Sequence, residues 1–365
     1  METKFIPAVL DDPVYLKNFD PSRTLDSVSA FPDQLKTIWK GSQAITFPEQ
    51  FRNAGSIVLS GMGGSALGGK ILKSLFSSQL KVPFEVVTEY DLPGFVDEKT
   101  LVIIASYSGN TEETISTLRK AKEKGAMVFA VTTGGKIGEE VKKGLTGMVF
   151  SPVFNYLGFP KTALGYSLGA IAGLLSKAGF IDLSEEFFNK SLADFLPIQK
   201  TFLPEMPLAQ NPAKQLSVFL KGKIGVLIAS EHLNGPAVAF RNQMNEIAHS
   251  FCLFFALPEM NHHLIEAFAN PAENKESLGL VFLKADNYFS RNIERYSFTR
   301  EILSQMEIKT FDYRLASGDP FVQSLEVVQL GGFVSTYLSL LNQQDPGPEK
   351  WIIKLKEKLA SAHDK

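Results

Sequence analysis

Hydroxyl residues cluster in one short segment that follows an apolar run. Ser106, Ser108 and Thr111 come directly after residues 101–105, which are apolar and mostly β-branched. Acidic residues and an amphipathic spacing come next, so the segment is predicted to join a buried strand to a helix. A helix N-terminus attracts anions through its free N–H groups and its dipole. The segment is therefore a candidate phosphate site, although such residues are also common in ordinary helix caps.

A glycine-rich segment, residues 61–66, lies between another predicted strand and helix. A dinucleotide fingerprint has this position, and Glu89 lies near the end of the following strand, so NAD binding stays open on this segment alone. Gly64 and Ser65 also suit a small anion that approaches the backbone closely. Because a dinucleotide fold does not need the hydroxyls of the 106–111 segment, the two loops together favour a sugar phosphate.

Strand and helix patterns alternate twice along the 365 residues. This alternation predicts an α/β fold with two doubly wound parallel sheets flanked by helices. We expect a helical N-terminal segment over residues 1–50 that packs on the first domain, a first domain over 51–182 and a second over 183–365. A long helix is expected from about Pro320 to Leu341, interrupted at Gly331 and Gly332, and a terminal helix over 349–360.

The composition is that of an ordinary globular protein, with 44% hydrophobic and 21% charged residues. The net charge of −2 gives no indication of a nucleic-acid or membrane partner. A single cysteine, Cys252, excludes an intrachain disulfide and fits a reducing compartment. We find no signal-peptide pattern and expect no apolar segment of membrane-spanning length, so a cytoplasmic protein is predicted.

The motifs resemble a known family. The two loops, residues 61–65 and 106–113, look like the first sugar-isomerase (SIS) domain of the bifunctional phosphoglucose/phosphomannose isomerases. Residues 243–246, Gln-Met-Asn-Glu, and 257–262, Leu-Pro-Glu-Met-Asn-His, match the same family in order and narrow the resemblance to it. It covers the chain from about residue 25 onward and implies two SIS domains with flavodoxin-like sheets.

The resemblance implies a metal-independent aldose–ketose isomerase that needs no cofactor. Phosphate would bind at Gly64, Ser65, Ser106, Ser108 and Thr111. Glu246 would move a proton between C1 and C2 through a cis-enediol, the work of a positioned general base. His262 would assist ring opening from the neighbouring subunit of a homodimer. A lysine of the terminal helix would complete the site, and the Leu-Lys position favours Lys356 over Lys354.

Several positions depart from the family pattern. Lys161 stands where the family carries an arginine that braces the enediolate, so the charge is kept and the planar fork is lost. His263 and Leu264 replace a polar pair after His262, and Gly347 replaces a threonine found in many relatives. We therefore expect weakened or shifted activity more readily than its loss.

Two other functions stay open from the sequence. A non-catalytic SIS sensor that reports a sugar phosphate to a partner is compatible with the departures from the family pattern. The chain shows no extra DNA-binding segment, however, and keeps both catalytic candidates, Glu246 and His262. A nicotinamide dehydrogenase is the third hypothesis. The adjacent His262 and His263 have no companion carboxylate or cysteine spacing that would predict a metal site.

Overall fold

The first of two parallel sheets contains the hydroxyl-rich and glycine-rich loops. In the computed structural model, which describes residues 7–362, this sheet has the strand order β2-β1-β3-β4-β5. Its strands are β1 (Ser56–Gly61), β2 (Phe84–Val87), β3 (Thr100–Ser106), β4 (Met127–Thr132) and β5 (Gly147–Val149). Every residue of β3 is buried, as a strand covered on both faces requires. The predicted doubly wound parallel sheet is confirmed here.

The second sheet repeats the arrangement with the order β7-β6-β8-β9. Its parallel strands are β6 (Ile224–Ser230), β7 (Cys252–Leu257), β8 (Leu278–Lys284) and β9 (Thr310–Arg314). β7 forms one edge, and its four central residues are only partly buried. The α/β class with two sheets flanked by helices is therefore confirmed for both halves of the chain.

The helices follow the strands in the expected alternation. Those of the first half are α1 (Pro13–Phe19), α2 (Thr24–Ser29), α3 (Phe31–Ala44), α4 (Gly64–Leu75), α5 (Glu112–Glu123), α6 (Gly135–Lys142), α7 (Leu164–Lys177) and α8 (Glu185–Lys200). Those of the second half are α9 (Pro212–Leu220), α10 (Asn234–Glu246), α11 (Asn274–Ser277), α12 (Ser290–Gln305), α13 (Pro320–Leu341) and α14 (Lys350–Ala362). The sequence pattern did not predict α12, because its buried face is partly polar and includes Asn292 and Thr299.

The N-terminal helices contact both halves of the protein. Phe31, Leu35 and Trp39 of α3 join the core of the first sheet, whereas Leu16 of α1 and Leu25 of α2 join the core of the second. The first six residues of the segment predicted over 1–50 lie outside the described residues. The domain limits at residues 50 and 182 remain a prediction.

Helix α13 lies at the centre of the molecule and joins the two cores. Its residues Val322 and Leu325 pack in the first core, and Leu330 and Phe333 pack in the second. The predicted interruption at residues 331–332 is wrong, since the helix runs continuously through both glycines. A Cβ at position 331 would lie 2.3 Å from Gln243 Oε1, so glycine is needed there for the close approach of α10.

The same helix corrects the prediction that no apolar segment reaches membrane-spanning length. α13 is long and apolar enough by length and composition, and among residues 7–362 no other helix passes that test. The apolar window is entirely buried inside the protein. A core helix that is buried in this way passes the same test, so α13 is weak evidence of a membrane span.

Candidate functional site

The glycine-rich loop brings the N-terminus of α4 against the segment 159–162. A Cβ on Gly64 would lie 2.8 Å from the carbonyl oxygen of Pro160, so only glycine fits this approach. Ser65 then lies between the two loops, where its Oγ accepts the backbone N–H of Tyr107 at 3.0 Å. The loops at the ends of β1 and β3 are therefore in direct contact, as expected for neighbouring parallel strands.

The hydroxyl-rich loop places its three predicted residues differently. Ser106 is buried, accepts the Gly109 N–H at 3.1 Å and donates to Thr111 Oγ1 at 3.1 Å. Ser108 is exposed, and Thr111 is the N-cap of α5 without using its side chain as a cap. Gly109 has φ +69°, and a Cβ there would lie 1.8 Å from Gly134 O. The turn is thus tight, and its hydroxyls are grouped at the start of a helix.

These loops line a cleft with an aromatic and apolar back wall. The lining residues include Gly64, Ser65, Ser106, Tyr107, Pro160 and Ser167. Ser167, which the sequence did not indicate, donates its hydroxyl to the Ser65 carbonyl oxygen at 3.1 Å. It belongs to the first turns of α7, and no local pattern distinguishes it from an ordinary helix serine. The cleft offers hydroxyls and a helix N-terminus, which suit a phosphate group.

Glu246 reaches this side of the molecule because α10 runs antiparallel to α4. The start of α10 packs on the second half of α4, where a Cβ at Gly235 would lie 2.3 Å from the Lys70 carbonyl oxygen. The end of α10 is tied to residue 161, next to the Pro160 that contacts Gly64: Lys161 Nζ donates to the Glu246 carbonyl oxygen at 3.1 Å. The last residue of α10 is thereby held near the glycine-rich and hydroxyl-rich loops of the first sheet.

Lys161 is enclosed rather than displayed in the cleft. Its side chain is 1% exposed, and its ammonium also donates to the carbonyl oxygens of Pro346 and Gly347, each at 2.9 Å. Glu349 Oε1 lies 3.6 Å from the ammonium. Burial lowers the pKa of Lys161, and the negative charges of Glu349 and Glu246 oppose that change. The ammonium's three donors are therefore committed to main-chain carbonyls around Glu246.

Glu246 is partly buried, and its carboxylate has no hydrogen-bond or ion-pair partner among residues 7–362. Burial raises its pKa to about 7, and the neighbouring Glu349 charge adds to the rise, while Lys161 and Lys356 oppose it. An unpaired carboxylate with a pKa near neutrality is suited to accept and return a proton. Glu349 itself was missed from the sequence, because a glutamate at the start of a helix is an ordinary surface residue.

The two lysines of α14 are directed differently. Lys356 is exposed, yet its charge is near enough to lower the pKa of Glu246. Lys354 Nζ lies 5.6 Å from the ring centroid of Trp351 on its own helix. Of the two, the structure brings only Lys356 into the electrostatic surroundings of Glu246.

His262 lies apart from Glu246 in the same chain. It ends a short 3₁₀ helix, Glu259–His262, that follows β7, whereas Glu246 precedes β7. The strand has six residues, which separate its ends by about 20 Å. The imidazole is exposed and has no partner among the described residues. Within one chain the structure does not bring His262 and Glu246 together.

Gly347 has no room for a larger residue in this conformation. A Cβ there would lie 2.3 Å from Ser22 Oγ, and Ser22 is held by a 2.7 Å hydrogen bond to Asp345 Oδ2. The departure to glycine therefore accompanies a close approach of the 20–25 turn to the 345–349 segment. Among residues 7–362, no group of three His, Cys, Asp or Glu residues is arranged to hold a metal ion.

This chain matches two families of SIS domains and is similar to proteins named as sugar-phosphate isomerases. Residues 209–359 match the bacterial phospho-glucose isomerase C-terminal SIS domain, and residues 50–137 match the SIS domain. A bifunctional phosphoglucose/phosphomannose isomerase of Caldicellulosiruptor bescii is 32% identical over 340 residues, covering 93% of this chain and 99% of the relative. One of the same name from Aquifex aeolicus is 31% identical, covering 83% and 90% of the two chains.

Solved structures share the fold. The C-terminal domain of glucosamine-fructose-6-phosphate aminotransferase from Francisella tularensis superimposes with a TM-score of 0.69 over 89% of this chain and 98% of that domain. The identity is 14%, so the likeness concerns the fold alone.

Proposed function

We propose that this chain, which belongs to the family of bifunctional phosphoglucose/phosphomannose isomerases, interconverts glucose 6-phosphate and fructose 6-phosphate. Mannose 6-phosphate is a second candidate aldose. The observation that carries the proposal is Glu246, an unpaired and partly buried carboxylate with a pKa raised to about 7, held near the glycine-rich and hydroxyl-rich loops. A sensor without catalytic function would have no use for a proton acceptor at that position.

The phosphate is anchored by the loops of the first sheet. Ser65, Ser106, Ser108 and Thr111 supply hydroxyls, and the N-termini of α4 and α5 supply N–H groups and positive dipole ends. The sugar carbons then extend toward Glu246. Its carboxylate removes the proton from C2 of the open-chain aldose, the proton on O2 moves to O1 through the enediol, and the carboxylic acid returns its proton to C1. The Lys356 charge stabilises the negative charge of the intermediate.

Ring opening requires a group that reaches the sugar ring oxygen, and we assign it to the partner subunit's His262 in a homodimer. The exposure of the imidazole and its separation from Glu246 along β7 support an action between subunits. No metal or organic cofactor enters this scheme. The buried free thiol of Cys252 is compatible with a reducing, cytoplasmic location.

A coupled assay with glucose 6-phosphate, mannose 6-phosphate and fructose 6-phosphate, each with and without EDTA, tests the activity. We expect turnover with at least the glucose–fructose pair and no loss in EDTA. Binding of these sugars without any turnover would establish the sensor instead. NAD-induced thermal stabilisation would favour the dehydrogenase.

Complementation tests the donation of His262 between subunits. Glu246→Gln and His262→Asn chains, each inactive alone, are mixed after mild dissociation. Statistical pairing in a two-fold symmetric dimer is expected to restore about a quarter of wild-type activity. A mixture that stays inactive although size-exclusion and mass measurements show hetero-dimers would contradict the assignment.

A further inference from the structure

The buried ammonium of Lys161 has one carboxylate neighbour close by and a second that stays apart. Glu349 Oε1 lies 3.6 Å from Nζ, and the two side chains are 9% and 1% exposed. Glu246 contributes only its carbonyl oxygen to Nζ, at 3.1 Å. The charge of Lys161 is thus compensated by Glu349, while the Glu246 carboxylate remains unpaired.

We propose that Glu349 is a positioning residue for Glu246: by neutralising Lys161, it leaves the Glu246 carboxylate free to accept a proton from the sugar. This inference rests on the proposed isomerase function and deepens it. A buried cation without a counter-charge attracts any carboxylate within reach, because leaving it uncompensated is strongly unfavourable. After Glu349, the carboxylate whose charge acts most on Lys161 is that of Glu246, ahead of Asp345.

The geometry of the 345–349 segment supports this role. Asp345 accepts the Gly347 N–H at 2.9 Å and the Ser22 hydroxyl at 2.7 Å, and one ring nitrogen of His249 lies 3.1 Å from the Pro348 carbonyl oxygen. These contacts fix the turn whose carbonyls Lys161 binds, and the turn delivers Glu349 to the ammonium. Glu349 therefore reaches Lys161 from a segment that hydrogen bonds hold in place. Glu246 is the last residue of α10.

The charged groups that act on Glu246 come from two parts of the chain. Lys161 approaches from the 160–162 turn, Glu349 from the start of α14, and Lys356 from within α14. Asp345 acts on Lys161 from the preceding turn. Removing the Glu349 charge leaves only the two lysines acting on Glu246, so the carboxylate becomes the more stable form and a weaker base.

The test compares Glu349→Gln with Glu357→Gln, a matched change at an exposed residue of the same helix. For Glu349→Gln we expect the acidic limb of the kcat/KM profile to move to lower pH by about one unit or more. The plateau kcat is expected to fall about tenfold, because the base is weaker. Glu357→Gln is expected to match wild type. Glu349→Asp, which keeps the charge, should restore the limb toward its wild-type position.

An acidic limb that is the same in Glu349→Gln and wild type overturns the proposal. A second measurement needs no Glu349 variant to fold. In the wild-type protein, the ¹³C signal of the Glu246 carboxyl, assigned by its loss in Glu246→Gln, is expected to titrate with a midpoint near the pKa of about 7. A midpoint near the ordinary glutamate value of 4.5 would show Glu246 paired with Lys161 and would overturn the proposal.

The two measurements also separate this inference from the proposed function. If wild-type protein turns over no hexose 6-phosphate, the isomerase proposal fails, and the NMR titration of Glu246, compared between wild type and Glu349→Gln, still decides whether Glu349 keeps Glu246 unpaired. If turnover is present and the limb does not respond to Glu349→Gln, the isomerase stands and the positioning role fails.

Discussion

The two sheets have the same order over four strands, but the loops at their carboxyl ends carry different kinds of side chain. At the first sheet, small residues and hydroxyls follow β1 and β3 and line a cleft. At the second, the loops after β6 and β8 carry large and charged side chains. There Glu231 Oε1 accepts the Phe289 N–H at 2.9 Å and the Asn292 amide at 2.7 Å, so the chain's own carboxylate occupies the start of α12.

The difference shows that the fold supplies a position for an anion and the loop residues decide whether it is open. In the first sheet the Tyr107 and Gly109 N–H groups bond to serine oxygens, and no carboxylate of residues 7–362 lines the cleft. In the second sheet an internal carboxylate binds at the start of a helix. The second half contributes to the site from the amino ends of its strands, where α10 ends at Glu246. The candidate site thus combines the carboxyl edge of one sheet with the amino edge of the other.

The largest effect on kcat is expected at Glu246, whose carboxylate has no partner among residues 7–362. Glu231, whose carboxylate accepts two hydrogen bonds, is the comparison. Glu246→Gln removes the proton acceptor and should lower kcat by about two to four orders of magnitude, with sugar-phosphate binding retained in calorimetry. Glu231→Gln is the matched change at the second edge and is expected to keep kcat within about twofold, since surface changes away from the chemistry have small effects. Substantial residual turnover by Glu246→Gln would remove it from the role of base.

The pH dependence comes next in size. Because the pKa of Glu246 is raised to about 7, kcat/KM is expected to fall about tenfold per pH unit below that value, as the carboxylate is protonated. The raised pKa also means that folding favours the neutral acid. Its contribution to stability is full below the ordinary pKa of 4.5 and is lost as the pH rises toward about 7. A kcat/KM profile that is flat down to about pH 5 would contradict this role.

The hydroxyl-rich loop is tested by Ser106→Ala, with Ser230→Ala, at the carboxyl end of the central strand β6 of the second sheet, as the comparison. Loss of the Ser106 hydroxyl should raise KM about tenfold, the effect of one hydrogen bond to a charged group, with a smaller change in kcat. Ser230 donates to the Leu257 carbonyl oxygen at 2.9 Å, so its alanine variant should change stability and leave KM as it is. Equal increases in KM in Ser106→Ala and Ser230→Ala would show that the loops of the first sheet have no special role in binding the substrate.

The smallest effect on activity is expected from Glu231→Ala. Removing this carboxylate takes one acceptor from the exposed Phe289 N–H and one from the Asn292 amide, which still donates to Ser230 Oγ, at a cost of about 0.5–1.5 kcal/mol in the free energy of unfolding. Denaturant titration measures the loss, and kcat and KM are expected to stay at wild-type values. A variant that loses activity without losing stability would show that the second edge takes part in the reaction.

Much of the fold was predictable because apolar runs and their periodicity are local signals. Residues 101–105 form the centre of β3 as expected, and the two loops lie at the strand ends where the alternation placed them. The helix α12 and the continuity of α13 were not predictable. A polar buried face hides the helical period in the first case, and Gly331 is explained only by the approach of Gln243 in the second.

The sequence by itself determined the two sheets, the loops with their hydroxyls, and the motif that contains Glu246, since each depends on residues close together in the chain. Only the tertiary structure decided what surrounds Glu246. Lys161, Glu349 and Lys356 come from distant segments, and their charges act together because α10 packs antiparallel on α4 and the 345–349 turn closes on Lys161. The protonation of a carboxylate depends on burial and on charges in space, which no local pattern records.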